Sequence, residues 1–176
     1  MKALSAEELF YLWDECSNMP VLAKTLLLLQ QACNISDNSV ITSMSIGERN
    51  ARLLQLHEWI FGNKMFHITY CQNCNEKLEW ETDTTSMFLQ NINNNFIAEN
   101  YTLQFKGYEI SYRLINNLDI LNIQRNNINH TEAKASLLQS CLLEAKKSNK
   151  IIAIEKLPNT VFDAIEKQMA VNDPQA

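Results

Sequence analysis

Residues Met65–Trp80, MFHITYCQNCNEKLEW, decide the fold, because here the apolar pattern changes from a helical period to a period of two. Phe66, Ile68 and Tyr70 alternate with His67 and Thr69. After CQNCNE, Leu78 and Trp80 alternate with Lys77, Glu79 and Glu81. Such alternation puts successive side chains on opposite faces of an extended chain. Two such runs around a polar tip predict an antiparallel hairpin, and the tip holds Cys71 and Cys74 at C-x-x-C spacing.

A second hairpin follows an Asn-rich connector, QNINNNF (90–96). Tyr101, Leu103 and Phe105 lead to a turn at Lys106-Gly107, and Tyr108, Ile110, Tyr112 and Leu114 return. Residues 63–115 are thus predicted to form a small antiparallel sheet with one solvated face.

Upstream, residues 1–62 read as a helical lobe. Ser5 and Glu8 make a capping box, after which Leu9, Leu12, Trp13 and Cys16 share one face. Pro20 suits the start of a second helix ending near Cys33. Ser45 and Glu48 repeat the box before a third helix that Gly62 stops. On that helix Leu53, Leu54, His57, Ile60 and Phe61 define a stripe facing the core, with Leu56 and Trp59 beside it. The apolar arc is wider than one packing surface needs, which makes Leu56 and Trp59, with Trp80 on the hairpin, candidate contact residues.

Residues 116–176 return to helical periods. LDILNIQRN (118–126) is predicted to be a short helix. A longer one over 131–147 aligns Ala133, Leu137, Leu138, Cys141, Leu142 and Ala145, and Pro158 opens a last helix with Val161, Phe162, Ile165 and Met169 facing inward. The predicted class is α+β: a helical lobe, antiparallel hairpins with a knuckle-like turn, then C-terminal helices.

Composition excludes several roles. Fifteen basic against twenty acidic residues, with no basic run, argues against nucleic acid as a partner. The most apolar stretch, Val21 to Cys33, is interrupted by Lys24, Thr25, Gln30 and Gln31 and falls short of the roughly 20 residues that cross a bilayer. The N-terminus carries acids where a signal peptide would be apolar, so no membrane insertion is expected and the five cysteines read as reduced thiols in a cytoplasm. Cys16, Cys33 and Cys141 read as small core residues.

The pair Cys71 and Cys74 allows a metal knuckle or a redox dithiol. In a knuckle, backbone N–H groups point at the thiolates and the residue after the second Cys is left-handed. Asn75 tolerates that conformation. His67 is the nearest further donor in sequence. Reactive dithiols sit at helix N-termini instead, and this pair sits at a hairpin tip. His57 reads as a core histidine, His130 as a helix start, and the carboxylates of LEWETD as a wet strand face. The three glycines stand too far apart for a phosphate loop. No catalytic residue and no small-molecule substrate are indicated.

The order of these features resembles a family of baseplate proteins of contractile phage tails and phage-tail-like contractile injection systems, distantly similar to a T-even phage baseplate hub or hub-assembly protein. Glu58 to Gly62, Cys71 to Trp80, Gly107 to Leu114, Leu137 to Leu143, Leu157-Pro158 and Asp173 to Ala176 carry the resemblance. It implies a structural or assembly component that is cytoplasmic at synthesis and is built into a tail-like particle through contacts with other tail and baseplate proteins. Family members continue into a second C-P-x-C knuckle, so the resemblance implies that 116–176 is cut short before it. Zinc would bind Cys71 and Cys74 only if a second ligand pair were supplied. Gln72 and Asn75 stand where the family commonly has Pro and Gly. The alternative reading is a zinc-ribbon-like adaptor that captures a protein by a sheet edge.

Overall fold

A computed structural model of the 176-residue chain describes residues 1–89, 99–126 and 129–176, so the connector QNINNNF lies outside the described residues. In chain order the elements are α1 (Ala6–Glu15), α2 (Val21–Cys33), α3 (Asn38–Ser43), α4 (Ile46–Phe61), β1 (Lys64–Tyr70), β2 (Lys77–Asp83), β3 (Asn100–Phe105), β4 (Tyr108–Arg113), α5 (Asn117–Arg125), α6 (His130–Cys141), β5 (Leu142–Lys147), β6 (Lys150–Ile151) and α7 (Asn159–Asn172). The architecture is α+β. The chain divides into two units, one of Met1–Ser36 with Asn50–Ile92, the other of Asp37–Arg49 with Asn93–Ala176.

In the first unit, helix α1 starts at the predicted box. Ser5 Oγ accepts from Glu8 N–H at 3.2 Å, and a Glu8 carboxylate oxygen accepts from Ser5 N–H at 2.8 Å. Asn34, in the left-handed conformation at φ 53°, ends α2. Leu12, Ala32 and Leu56 close around Leu4, with Leu9, Leu27, Leu28 and Ile60 against them. Trp13 departs from the expected face and is 81% exposed. The buried arc centres on Leu12 and Cys16, and at about 100° per residue Trp13 falls beyond its edge.

The hairpin β1–β2 forms a sheet of its own. The register pairs Phe66 with Glu81, Ile68 with Glu79 and Tyr70 with Lys77, while His67 faces Trp80 and Thr69 faces Leu78. Paired residues share a face, so the apolar rows of the two strands lie on opposite sides of the ribbon. A single buried face was expected. Instead one face shows Phe66, Ile68 and Tyr70, and the other shows Leu78 and Trp80.

The second hairpin belongs to a separate four-stranded antiparallel sheet in the second unit, ordered β3-β4-β5-β6. Lys106 and Gly107, at φ 47° and 77°, make the predicted two-residue turn. The helix expected over 131–147 stops at Cys141, and Leu142–Lys147 is strand β5, which pairs with β4. The reason lies in a bulge. Ser111 faces Glu144 and Tyr112 faces Leu142, so Leu143 is the extra residue. The bulge puts Leu142 and Ala145, three positions apart, on the same buried face, and that spacing imitates a helix. Ser148 and Asn149, at φ 50° and 61°, then turn β5 into β6.

The core of this unit gathers Ile110 and Tyr112 from β4, Leu138 and Cys141 from α6, Leu142 and Ala145 from β5, and Val161, Ile165 and Met169 from α7. Asn117 is fully buried, and its Nδ2 donates to the carbonyls of Ile41 and Met44 at 3.1 and 3.2 Å, fastening the end of α3 to the start of α5. No helix among the described residues is long and apolar enough to cross a membrane.

Candidate functional site

The tip of the first ribbon is a tight turn. Cys71 N–H donates to Glu76 C=O and Asn75 N–H donates to Cys71 C=O, both at 2.8 Å. Asn75 adopts φ 58°, the left-handed conformation expected after the second cysteine of a knuckle. The backbone N–H groups of Cys74 and Asn73, then the Cys74 thiol, hold the Cys71 thiol below its ordinary pKa. Donors aimed at a sulfur favour the thiolate, the form that binds metal. The turn therefore brings the two thiols together at the tip of the ribbon.

His67 does not extend the set. Its ring stacks on Trp80, with centroids 4.9 Å apart and planes 13° from parallel. Among the described residues no group of three or more His, Cys, Asp or Glu side chains converges as metal ligands.

Of the three cysteines expected in the core, Cys33 at the end of α2 is only half-buried. Cys16 and Cys141 are buried, and burial, followed by the Asp119 charge, pushes the Cys141 thiol up to about 11. A thiol-specific reagent at neutral pH is expected to label Cys74 and Cys71 in the native protein and to reach Cys141 only on unfolding. Peptide mapping after brief alkylation checks this, and early label on Cys141 would contradict it.

Of the predicted contact residues, Leu56 is only 2% exposed and belongs to the core with Leu4, Leu12 and Ala32. Helix α4 turns Leu56 inward, so it offers no outer surface. Trp59 and Trp80 are 45% and 49% exposed. The periodicity reading passed over Phe10 and Tyr11, which stand outward on α1 with Trp13. Their signal was three aromatics in LFYLW, more than one buried face of a ten-residue helix can absorb.

Eighteen large apolar side chains are exposed among the described residues. Leu118, Leu143, Ile151 and Val171 belong to the second unit, and the other fourteen, including all three tryptophans, belong to the first. Surface apolar residues scattered singly mean little, but here they are concentrated in one unit and rich in aromatics.

The densest polar cluster lies in the second unit, around Asp119. Arg113 Nη1 and Nη2 reach its two carboxylate oxygens at 2.7 and 2.8 Å, Asn116 N–H donates to it at 2.9 Å, and Ser140 Oγ at 3.2 Å. This carboxylate is saturated and the neighbouring Cys141 thiol is held protonated, so the cluster is a clasp with no activated nucleophile. A groove of about 460 Å³ in the same unit is lined mainly by apolar residues of α6, α7 and the segment after β4, with the Lys134–Glu166 ion pair beside it. No protein-family model, no curated protein and no solved structure matches the chain.

Proposed function

We propose that the chain is a structural or assembly component of a contractile-tail baseplate, acting through protein–protein contacts made by its first unit. The exposed aromatic side chains carry the contact role: Trp13, Trp59 and Trp80 all stand at the surface of the first unit. The order of motifs from Glu58 to Ala176 supports the baseplate as the assembly. The partners are other tail and baseplate proteins, met after synthesis in the cytoplasm, and no catalytic residue is assigned.

The test is co-expression with tube, sheath and spike proteins of a contractile tail, followed by affinity capture of this chain. A tail protein is expected to be retained, and Trp13→Ser or Trp80→Ser to weaken its binding by roughly thirtyfold, the effect of losing one buried aromatic anchor. Capture of no tail protein, with all three tryptophans still open to aqueous quencher, would overturn the reading.

A second reading, the zinc-ribbon-like adaptor, is favoured by one observation, the left-handed Asn75 and the N–H groups directed at Cys71. Cys71 and Cys74 would hold the ion, and a second ligand pair would complete it. This reading expects stoichiometric zinc that Cys71→Ser abolishes together with the fold of the ribbon. The baseplate reading expects capture of tail proteins with or without zinc.

A further inference from the structure

We propose that the face of the β1–β2 ribbon bearing Phe66, Ile68 and Tyr70 pairs with the same face of a second copy of this chain. The inference concerns the isolated chain and does not depend on which assembly it joins. These side chains are 77%, 60% and 59% exposed, the most open apolar row on the ribbon. The opposite face is partly self-covered, because Trp80 lies on His67, and it carries no formally charged side chain to set a register.

The chosen face is self-complementary. Its second strand presents Lys77, Glu79 and Glu81 opposite Tyr70, Ile68 and Phe66. Consider a two-fold axis between the ribbons, perpendicular to the strands, at the level of Ile68. It places Ile68 on Ile68 of the second copy and Phe66 on Tyr70 at both ends, two aromatic pairs flanking an aliphatic centre. Within each chain Lys77 already pairs with Glu79 and Lys64 with Glu81, and the same operation sets Lys77 against Glu81 twice, joining these pairs across the seam, against one Glu79–Glu79 repulsion. An axis along the strands, midway between β1 and β2, would instead lay Lys77 on Tyr70, Glu79 on Ile68 and Glu81 on Phe66, setting every charge against an apolar side chain, so the charges select the first arrangement.

Magnitude decides how strong the dimer is. Seven residues at about 3.4 Å each, on two strands about 4.8 Å apart, give a face of the order of 24 by 10 Å, well below a standard interface. The association is therefore concentration-dependent and not obligate.

Sedimentation equilibrium of the full chain, reduced and with chelator present, tests the proposal. A monomer–dimer equilibrium is expected below roughly 1 mM, and Ile68→Glu is expected to abolish it. Because Ile68 is exposed, that variant keeps its fold, which far-ultraviolet circular dichroism verifies. Lys77→Glu and Glu81→Lys each bring like charges together twice and should weaken self-association roughly tenfold, whereas an equimolar mixture of the two restores a dimer. A purely structural role for these side chains would give no recovery on mixing. A monomer throughout, a dimer indifferent to Ile68→Glu, or one that forms only without chelator and needs Cys71 and Cys74 would each overturn the proposal. The last outcome would move the contact to the thiol tips.

Discussion

Replacing Asp119 with alanine is expected to destabilise the second unit by about 2–3 kcal/mol, less than a fully buried pair would cost because the Arg113 side chain is still 24% exposed. Asp119 is buried beside Arg113, and the two share a bidentate contact. Asp119 also closes a capping box with Asn116 at the start of α5 and accepts from Ser140 near the end of α6. Removing the carboxylate therefore leaves the Arg113 guanidinium with the carbonyls of Leu114 and Ser140 and loosens a strand and two helices at once. Thermal or urea unfolding of Asp119→Ala measures the loss, and a change below about 1 kcal/mol, the level of a surface pair, would refute the clasp.

The same residue sets an acid limb. Burial alone would raise the Asp119 carboxyl, but the Arg113 contact, with the Asn116 N–H, the Arg113 charge and Ser140, outweighs it and holds the carboxyl below its ordinary range. A group whose pKa is lower folded than unfolded stabilises in full above its unfolded value, near 3.9, and loses that contribution as pH falls through its folded value. The stability gap between the native protein and Asp119→Asn should stay level from neutrality to about pH 5 and close below about 4. A gap that widens in acid would reverse the sign.

Gly47→Ala is expected to cost about 2–4 kcal/mol, from overpacking together with a lost charge-assisted hydrogen bond. An added Cβ would stand 1.9 Å from Asp173 Oδ1 and 2.6 Å from its Cγ. That carboxylate is buried at the start of α4, where Gly47 N–H donates to Oδ2 at 3.0 Å and Ser45 Oγ donates to Oδ1 at 3.2 Å. Asp173 thus satisfies an N–H that the helix cannot, and only glycine lets it approach. Gly62 provides the contrast. It has φ 87° but no atom within 4 Å of a built Cβ, so Gly62→Ala should cost only the left-handed penalty, about 1 kcal/mol. Equal melting shifts for the two variants would show that Asp173 does not press on Gly47.

Much of the fold was legible because its signals are local. Ser5 with Glu8 and the turn at Lys106-Gly107 act within four residues, and both formed where expected. The left-handed Asn75 was legible for the same reason, since few residues tolerate that conformation. What misled was spacing without partners. Leu142 and Ala145 matched a helical face until a bulge at Leu143 made the same spacing suit a strand. Leu56 and Trp59 stood together on one apolar arc, and nothing in their spacing said which would be covered.

By itself the sequence determined the α+β class, the two hairpins, the cap of α1 at Ser5 and the left-handed turn at Asn75, since each depends on neighbours along the chain. Tertiary structure alone decided that the hairpins enter different sheets, that 142–147 pairs with β4, that the apolar rows of β1 and β2 face opposite ways, and that Asp173 reaches Gly47. Those outcomes turn on strand edges and helix ends finding hydrogen-bond partners at long sequence separation, 126 residues for the Asp173 contact. No pattern read along one segment records what will lie across from it.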